Sequence, residues 1–243
     1  MMAKIYILLT MLIGLVLALW QLIVGLDGLS WEYIALGILA SISQVLKIEG
    51  PTKRSSYNIS WLVYGFTFVL LGTPAAVFVI LVAHLVEWIR FRYPWYIQLF
   101  NMASYTVAMV AASFVSQVLF PANSPLTASF AMSALLATLI FTFLNHLMVG
   151  IVLRLARGES FAESGVFGFL TLIMDFTMFG VGIGSALLWI INPATVFFNV
   201  IPLYLFYNAL KVPALKRQVE HMESRLEELK PPANQMGVEG QPG

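Results

Sequence analysis

An all-α, polytopic membrane bundle of about eight spans, with both termini in the cytoplasm, is the fold class this sequence predicts. Three observations predict it. Apolar residues make up 60% of the chain and charged residues only 10%, against roughly a quarter charged in an ordinary soluble domain. Mean hydropathy is +0.87. One threading through a bilayer also places all 13 Lys and Arg residues on a single side. Cytoplasmic retention of basic residues is the strongest orientation signal such a sequence carries.

The apolar runs fall at 5–26, 31–47, 58–72, 75–91, 97–120, 126–154, 166–190 and 194–212. A helix needs about 20 apolar residues to cross the hydrocarbon core, and most of these runs approach or exceed that length. The chain starts with Lys4 inside. The first run is no cleaved signal peptide, because it is too long for an h-region and no small-x-small site follows it. The second crossing returns Lys47, Lys53 and Arg54 to the cytoplasm. The fourth returns Arg90 and Arg92, and the sixth Arg154 and Arg157. The eighth returns Lys211, Lys216, Arg217, Arg225 and Lys230. The opposite loops, at 27–31, 72–74, 120–125 and 191–193, hold no basic residue.

Residues 58–91 need an argument of their own. They form one apolar stretch broken at Gly72-Thr73-Pro74. As a single kinked helix the stretch would put Lys53 and Arg54 opposite Arg90 and Arg92. Pro lacks the donor a helix interior requires and Gly tolerates a tight turn, so a short helix pair is favoured. Its first piece is short for a full crossing, and a re-entrant hairpin is the alternative. Interfacial aromatics fit the same frame: Trp88, Tyr93, Trp95 and Tyr96 cluster near the inner basic residues, and Trp20, Trp31 and Trp189 lie toward the outer surface.

The domain reading is a bundle over 1–212, a cytoplasmic amphipathic helix over 213–230 and a disordered tail over 231–243. In the helix, Leu215, Val219, Met222, Leu226 and Leu229 are spaced 4, 3, 4, 3, the a/d repeat of a coiled coil. A weak parallel dimer seam is preferred to a helix lying on the membrane surface. Pro231-Pro232 ends it, and the Gly-, Pro- and Gln-containing remainder has the composition of disorder.

Charge in hydrocarbon costs about 2.5–3.5 kcal/mol per residue on insertion scales, so polar residues inside spans carry information. His84 and Glu87 share a face of span four, Asn145 and His146 lie on span six, and Asp175 lies on span seven. At 1.5 Å per residue, His84 is about 9 Å above Arg90 and His146 about 12 Å above Arg154. The residues are therefore expected to meet in the cytoplasmic half. Three uses of the cluster stay open, in order of preference. The first is interhelical hydrogen bonding, such as His146 to Asp175. The second is a polar pocket for a ligand or proton. The third is a metal site built from His84, Glu87, His146 and Asp175, a set suited to Zn or Fe. Glu87 alternatively snorkels to the inner surface, one turn from Arg90.

Other patterns exclude function classes. There is no Cys, hence no disulfide or thiolate chemistry. Gly180-x-Gly182-x-Gly184 follows no strand and lies in an apolar span, where small residues let helices approach closely. No Walker, H-E-x-x-H or G-x-S-x-G sequence occurs, and no basic stripe is left over for nucleic acid. Nothing argues for an enzyme or assigns a cofactor.

Three stretches carry a resemblance. They are Gly72-Thr73-Pro74-Ala75-Ala76 with His84-Leu85-Val86-Glu87-Trp88 and Phe100-Asn101, then Asn145 followed by Gly158-Glu159-Ser160, and the exit 202–215 from Pro202 through Asn208. Together, over about 58–228, they resemble the multi-span membrane input domains that precede GGDEF, HD-type phosphohydrolase or histidine kinase modules in bacterial signalling proteins. The resemblance implies a membrane domain feeding a signalling helix. No GGDEF, HD or kinase residues follow here, so the catalytic activities do not carry over, and the output is expected on a separate chain or not at all. The expectation is a non-enzymatic sensor or adaptor of the bacterial inner membrane. Its partners would be the bilayer and a second copy or a signalling protein held through 214–230. A small-molecule-binding transport component and a structural subunit of a larger membrane complex are the alternatives.

Overall fold

A computed structural model describes residues 1–25, 30–46, 48–49, 56–57, 59–121 and 127–199, together with helical positions 204, 208, 211–212, 215–216, 219–220 and 222–225. The chain divides into two compact units, Met1–Ile201 and Pro202–Gly243. The first is an all-helical bundle of α1 (Met2–Gly25), α2 (Trp31–Val45), α3 (Ser60–Phe91), α4 (Trp95–Leu119), α5 (Ala128–Arg157) and α6 (Phe169–Ile191), closed by a short 3-10 helix, Pro193–Asn199. A two-residue antiparallel ladder, Ile48 with Tyr57 and Glu49 with Ser56, joins α2 to α3.

The bundle is inverted relative to a soluble protein. Leu8, Leu12, Leu15, Val16 and Leu19 of α1 are exposed, whereas Gln44, His84, Glu87, Gln98 and Asp175 are buried. Apolar flanks with polar interiors suit lipid surroundings, since hydrocarbon solvates leucine and leaves polar groups to pair inside. Among the described residues five helices, α1 and α3 to α6, are long and apolar enough to cross a membrane. The chain is a multi-pass membrane protein. Five is fewer than eight for identifiable reasons. Helix α2 has only 15 residues, about 22 Å of rise against a core of about 30 Å. Helix α3 holds two of the expected segments, and the eighth run, 194–212, is described only at 194–199, 204, 208 and 211–212.

Helix α3 reverses direction at Gly72, whose φ of 82° and ψ of −178° are non-helical. The proof is Gln44, which accepts a hydrogen bond from Ser60 and donates one of 2.9 Å to Glu87. On a straight helix Ser60 and Glu87 would stand roughly 40 Å apart. The break expected at Gly72-Thr73-Pro74 is therefore a hairpin with arms 60–71 and 73–91. Only Gly adopts this backbone region without strain, and Pro74 starts the second arm where its missing N–H costs nothing.

Packing contacts give each segment a direction. Tyr6 of α1 donates to the carbonyl of Met148 (3.2 Å), while a Cβ on Gly25 would strike the Pro74 ring. Thr73 bonds Ser113 of α4 (2.7 Å), and His146 of α5 meets Asp175 of α6 (3.0 Å). The described helices and hairpin arms thus run between two ends of the bundle. Lys4, Arg90, Arg92, Arg154 and Arg157 all lie at one end, and no described Lys or Arg of this unit lies at the other. Lys47, Lys53 and Arg54 are outside the described residues.

The short connections at the basic end are ordered by their own chemistry. Arg92 adopts a left-handed conformation (φ 53°) to cap α3, and Gly158 (φ 72°) does so for α5. Ser160 and Glu163 form a reciprocal capping box, at 2.8 and 3.2 Å. The donated N–H of Ser160 holds the Glu163 carboxyl below the usual carboxylate range. Trp88 donates to the Tyr93 carbonyl (2.9 Å) beside Arg90, so the aromatics read as an interfacial girdle also brace the loop.

In the second unit Leu215, Val219 and Met222 are helical and exposed. Leu226, Leu229 and the tail 231–243 lie outside the described residues.

Candidate functional site

The buried residues His84, Glu87, Asn145, His146 and Asp175 occupy the basic-end half of the bundle, at the depth that counting from Arg90 and Arg154 gives. They form two separate pairs rather than one cluster.

The first pair is His84 and Glu87, one turn apart on the second arm of α3 with Nδ1 3.1 Å from Oε2. Both side chains are about 2% exposed, so Glu87 does not snorkel. Its Oε2 is reached from three elements. Gln44 of α2 donates at 2.9 Å and Gln98 of α4 at 3.1 Å. The same Gln98 nitrogen donates to the His84 carbonyl at 2.6 Å, which fixes the amide's orientation. Ser60 and Tyr64, on the first arm of α3, donate to the Gln44 oxygen. One carboxylate thus ties together α2, both arms of α3 and α4. Two buried atoms of this network, His84 Nε2 and Gln98 Oε1, have no partner among the described residues.

The second pair is His146 and Asp175, joined Nε2 to Oδ2 at 3.0 Å between α5 and α6. This is the interhelical hydrogen bond that the sequence suggested. Asn145 is buried beside His146 in sequence, but among the described residues its Oδ1 has no partner, and neither has Thr142 Oγ1 one turn earlier.

An aromatic wall stands between the pairs. Trp61 donates its indole N–H to the Tyr105 hydroxyl at 2.9 Å. The Tyr105 ring lies 4.7 Å from the His84 ring, and the Trp61 ring lies 4.9 Å from Phe141 and 6.0 Å from His146. His84 and Glu87 consequently do not join His146 and Asp175 in a four-ligand set. Among the described residues no three His, Asp or Glu side chains come together as metal ligands. What the arrangement can do is hold a proton between carboxylate and imidazole in a low-dielectric interior and couple that state to helix positions.

Sequence reasoning missed Gln44, Ser60, Gln98, Trp61 and Tyr105. The available signal was the amide: Gln44 and Gln98 are long polar side chains inside apolar runs, and in hydrocarbon they must find partners as a carboxylate must.

No protein-family model, no curated protein and no solved structure matches this chain.

Proposed function

We propose that this chain is a non-enzymatic membrane receptor or adaptor, in which a change in the bundle is passed through a cytoplasmic helix to a second copy or a signalling partner. The observation that carries the reading is the exposed seam of Leu215, Val219 and Met222, helical positions spaced 4 and 3 in a unit separate from the bundle. An apolar stripe outside the bilayer is an interaction surface. The carboxylate–imidazole pairs supply a state that can change, because each bridges elements that must move for a signal to pass. The resemblance to signalling input domains supports the same reading.

The absence of cysteine makes the test direct. A single Val219→Cys is expected to give a disulfide-linked dimer in membranes under mild oxidation. Val219→Asp with Met222→Asp is expected to abolish the dimer and leave insertion intact. An unchanged oligomeric state in that double variant would remove the seam from the proposal.

The same reading places the basic end in the cytoplasm and makes run 194–212 an eighth crossing that returns Lys211 to that side, in a bacterial inner membrane. Ala162 and Ala194, at opposite ends of α6, are exposed. In intact spheroplasts a membrane-impermeant maleimide is expected to label Ala194→Cys and to spare Ala162→Cys. The reverse pattern would invert the topology.

A transport component is the second reading. The buried ionisable pairs favour it, since such residues inside membrane segments commonly mark substrate or proton paths.

A further inference from the structure

At the end of the bundle opposite the basic residues, a cavity of about 400 Å³ opens beside the turn of α3. That volume lies within the range of small-molecule pockets, roughly 300–1,000 Å³. It is far from the pairs described above, since Gly72 is twelve residues before His84, about 18 Å along the arm. The broken helix and the buried imidazoles therefore belong to different places, and the cavity asks for its own ligand.

Its lining determines the ligand's chemistry. Gly72 and Thr73 contribute the turn itself, whose non-helical backbone lines the cavity. Among the described residues no charged side chain lines it, so a charged guest would lose its hydration without a counter-charge. Phe68 and Phe130 supply an apolar wall. Thr73, Ser116 and Gln117 each commit one donor to Ser113. Thr73 donates to the Ser113 hydroxyl at 2.7 Å, and the Gln117 amide donates to the same oxygen at 3.0 Å. Ser116 donates to the Ser113 carbonyl at 3.1 Å. Thr73 and Ser116 are left with oxygen lone pairs, and Gln117 with its carbonyl oxygen and one N–H. Ser133 adds a rotatable hydroxyl.

We propose that this cavity binds a small neutral molecule carrying a hydroxyl or amide donor on an apolar, ring-sized body. Binding stands on the cavity alone. Its role as the stimulus rests on the receptor reading above.

The test uses the purified full chain and a neutral photolabel, 4-(hydroxymethyl)benzophenone, with 4-benzoylbenzoate as its anionic counterpart. Adducts mapped by mass spectrometry are expected within 68–73, 116–121 and 130–134 for the alcohol and not for the carboxylate. Ser133→Trp, which fills the cavity, is expected to abolish them. Excess 4-methylbenzyl alcohol should reduce wild-type labelling about fivefold more than its methyl ether does, the ratio that one hydrogen bond carries. This competition decides the matter even if Ser133→Trp does not fold. Adducts spread along exposed α1 residues such as Leu12 and Val16, equal labelling by the carboxylate, or equal competition by alcohol and ether would each overturn the site. The Val219→Cys cross-link is read with and without 4-methylbenzyl alcohol. Specific labelling with unchanged cross-linking keeps the site and removes its role as stimulus. A cross-linked dimer without cavity labelling removes the site and leaves the receptor reading standing.

Discussion

Replacing Glu87 by Ala is expected to destabilise the bundle by about 3 kcal/mol, measured by reversible unfolding in mixed detergent micelles. The size follows from what the carboxylate holds. Its Oε2 is within 3.1 Å of Gln44 Nε2, Gln98 Nε2 and His84 Nδ1, and truncation leaves these groups buried without that acceptor. A stranded buried donor costs about 1–3 kcal/mol in water-soluble proteins. Interhelical hydrogen bonds in a membrane are weaker, about 0.6 kcal/mol on average with a maximum near 1.7. Three contacts at intermediate values give about 3 kcal/mol. Glu87→Gln separates acceptor from charge, because its carbonyl oxygen can still receive the three contacts. A loss under about 1 kcal/mol is expected for it. If the Ala and Gln variants were equally unstable, the charge and not the hydrogen bonding would be holding these helices.

The same network marks how far the sequence could be read. Lipid-facing and buried surfaces follow from composition, and the reversal at Gly72 from a residue pair with one mechanical meaning. The depth of His84, His146 and Asp175 follows from the fixed rise of a helix. Which of these residues touch does not follow, because helical periodicity assigns a residue to a face without naming the helix opposite. Asp175 found His146, as one reading had it. His84 found Glu87 on its own arm together with Gln98, and Glu87 also found Gln44, glutamines that no charge count would flag. The wall of Trp61, Tyr105 and Phe141 is invisible in sequence for the same reason, since aromatics abound in every membrane helix and only tertiary contact singles out three.

The glycine run on α6 shows the same limit at higher resolution and yields the second large effect. Gly180, Gly182 and Gly184 look alike in sequence, as small residues permitting close approach. In the bundle only Gly182 has that role. A Cβ there would lie 2.0 Å from the Leu62 carbonyl oxygen, whereas one on Gly180 or Gly184 meets nothing within 4 Å among the described residues. The contact is reciprocal, because a Cβ on Gly65 would lie 2.3 Å from the Phe179 carbonyl oxygen. Backbone therefore meets backbone where α3 crosses α6, and no side chain is available to move aside. Gly182→Ala is expected to cost about 1–3 kcal/mol, the usual range for overpacking, and Gly182→Leu more. Gly180→Ala is expected to be neutral or to stabilise by up to about 1 kcal/mol through helix propensity alone. The consequence reaches the polar pairs, because prising α6 from α3 shifts Asp175 relative to His146 and Trp61. Cross-linking His146→Cys to Asp175→Cys in a Gly182→Leu background is expected to fail where the same pair on the parent sequence succeeds. Equal stability of the Gly180 and Gly182 variants would mean that α3 and α6 do not cross at these residues, and the placement of Asp175 against His146 would fall with that crossing.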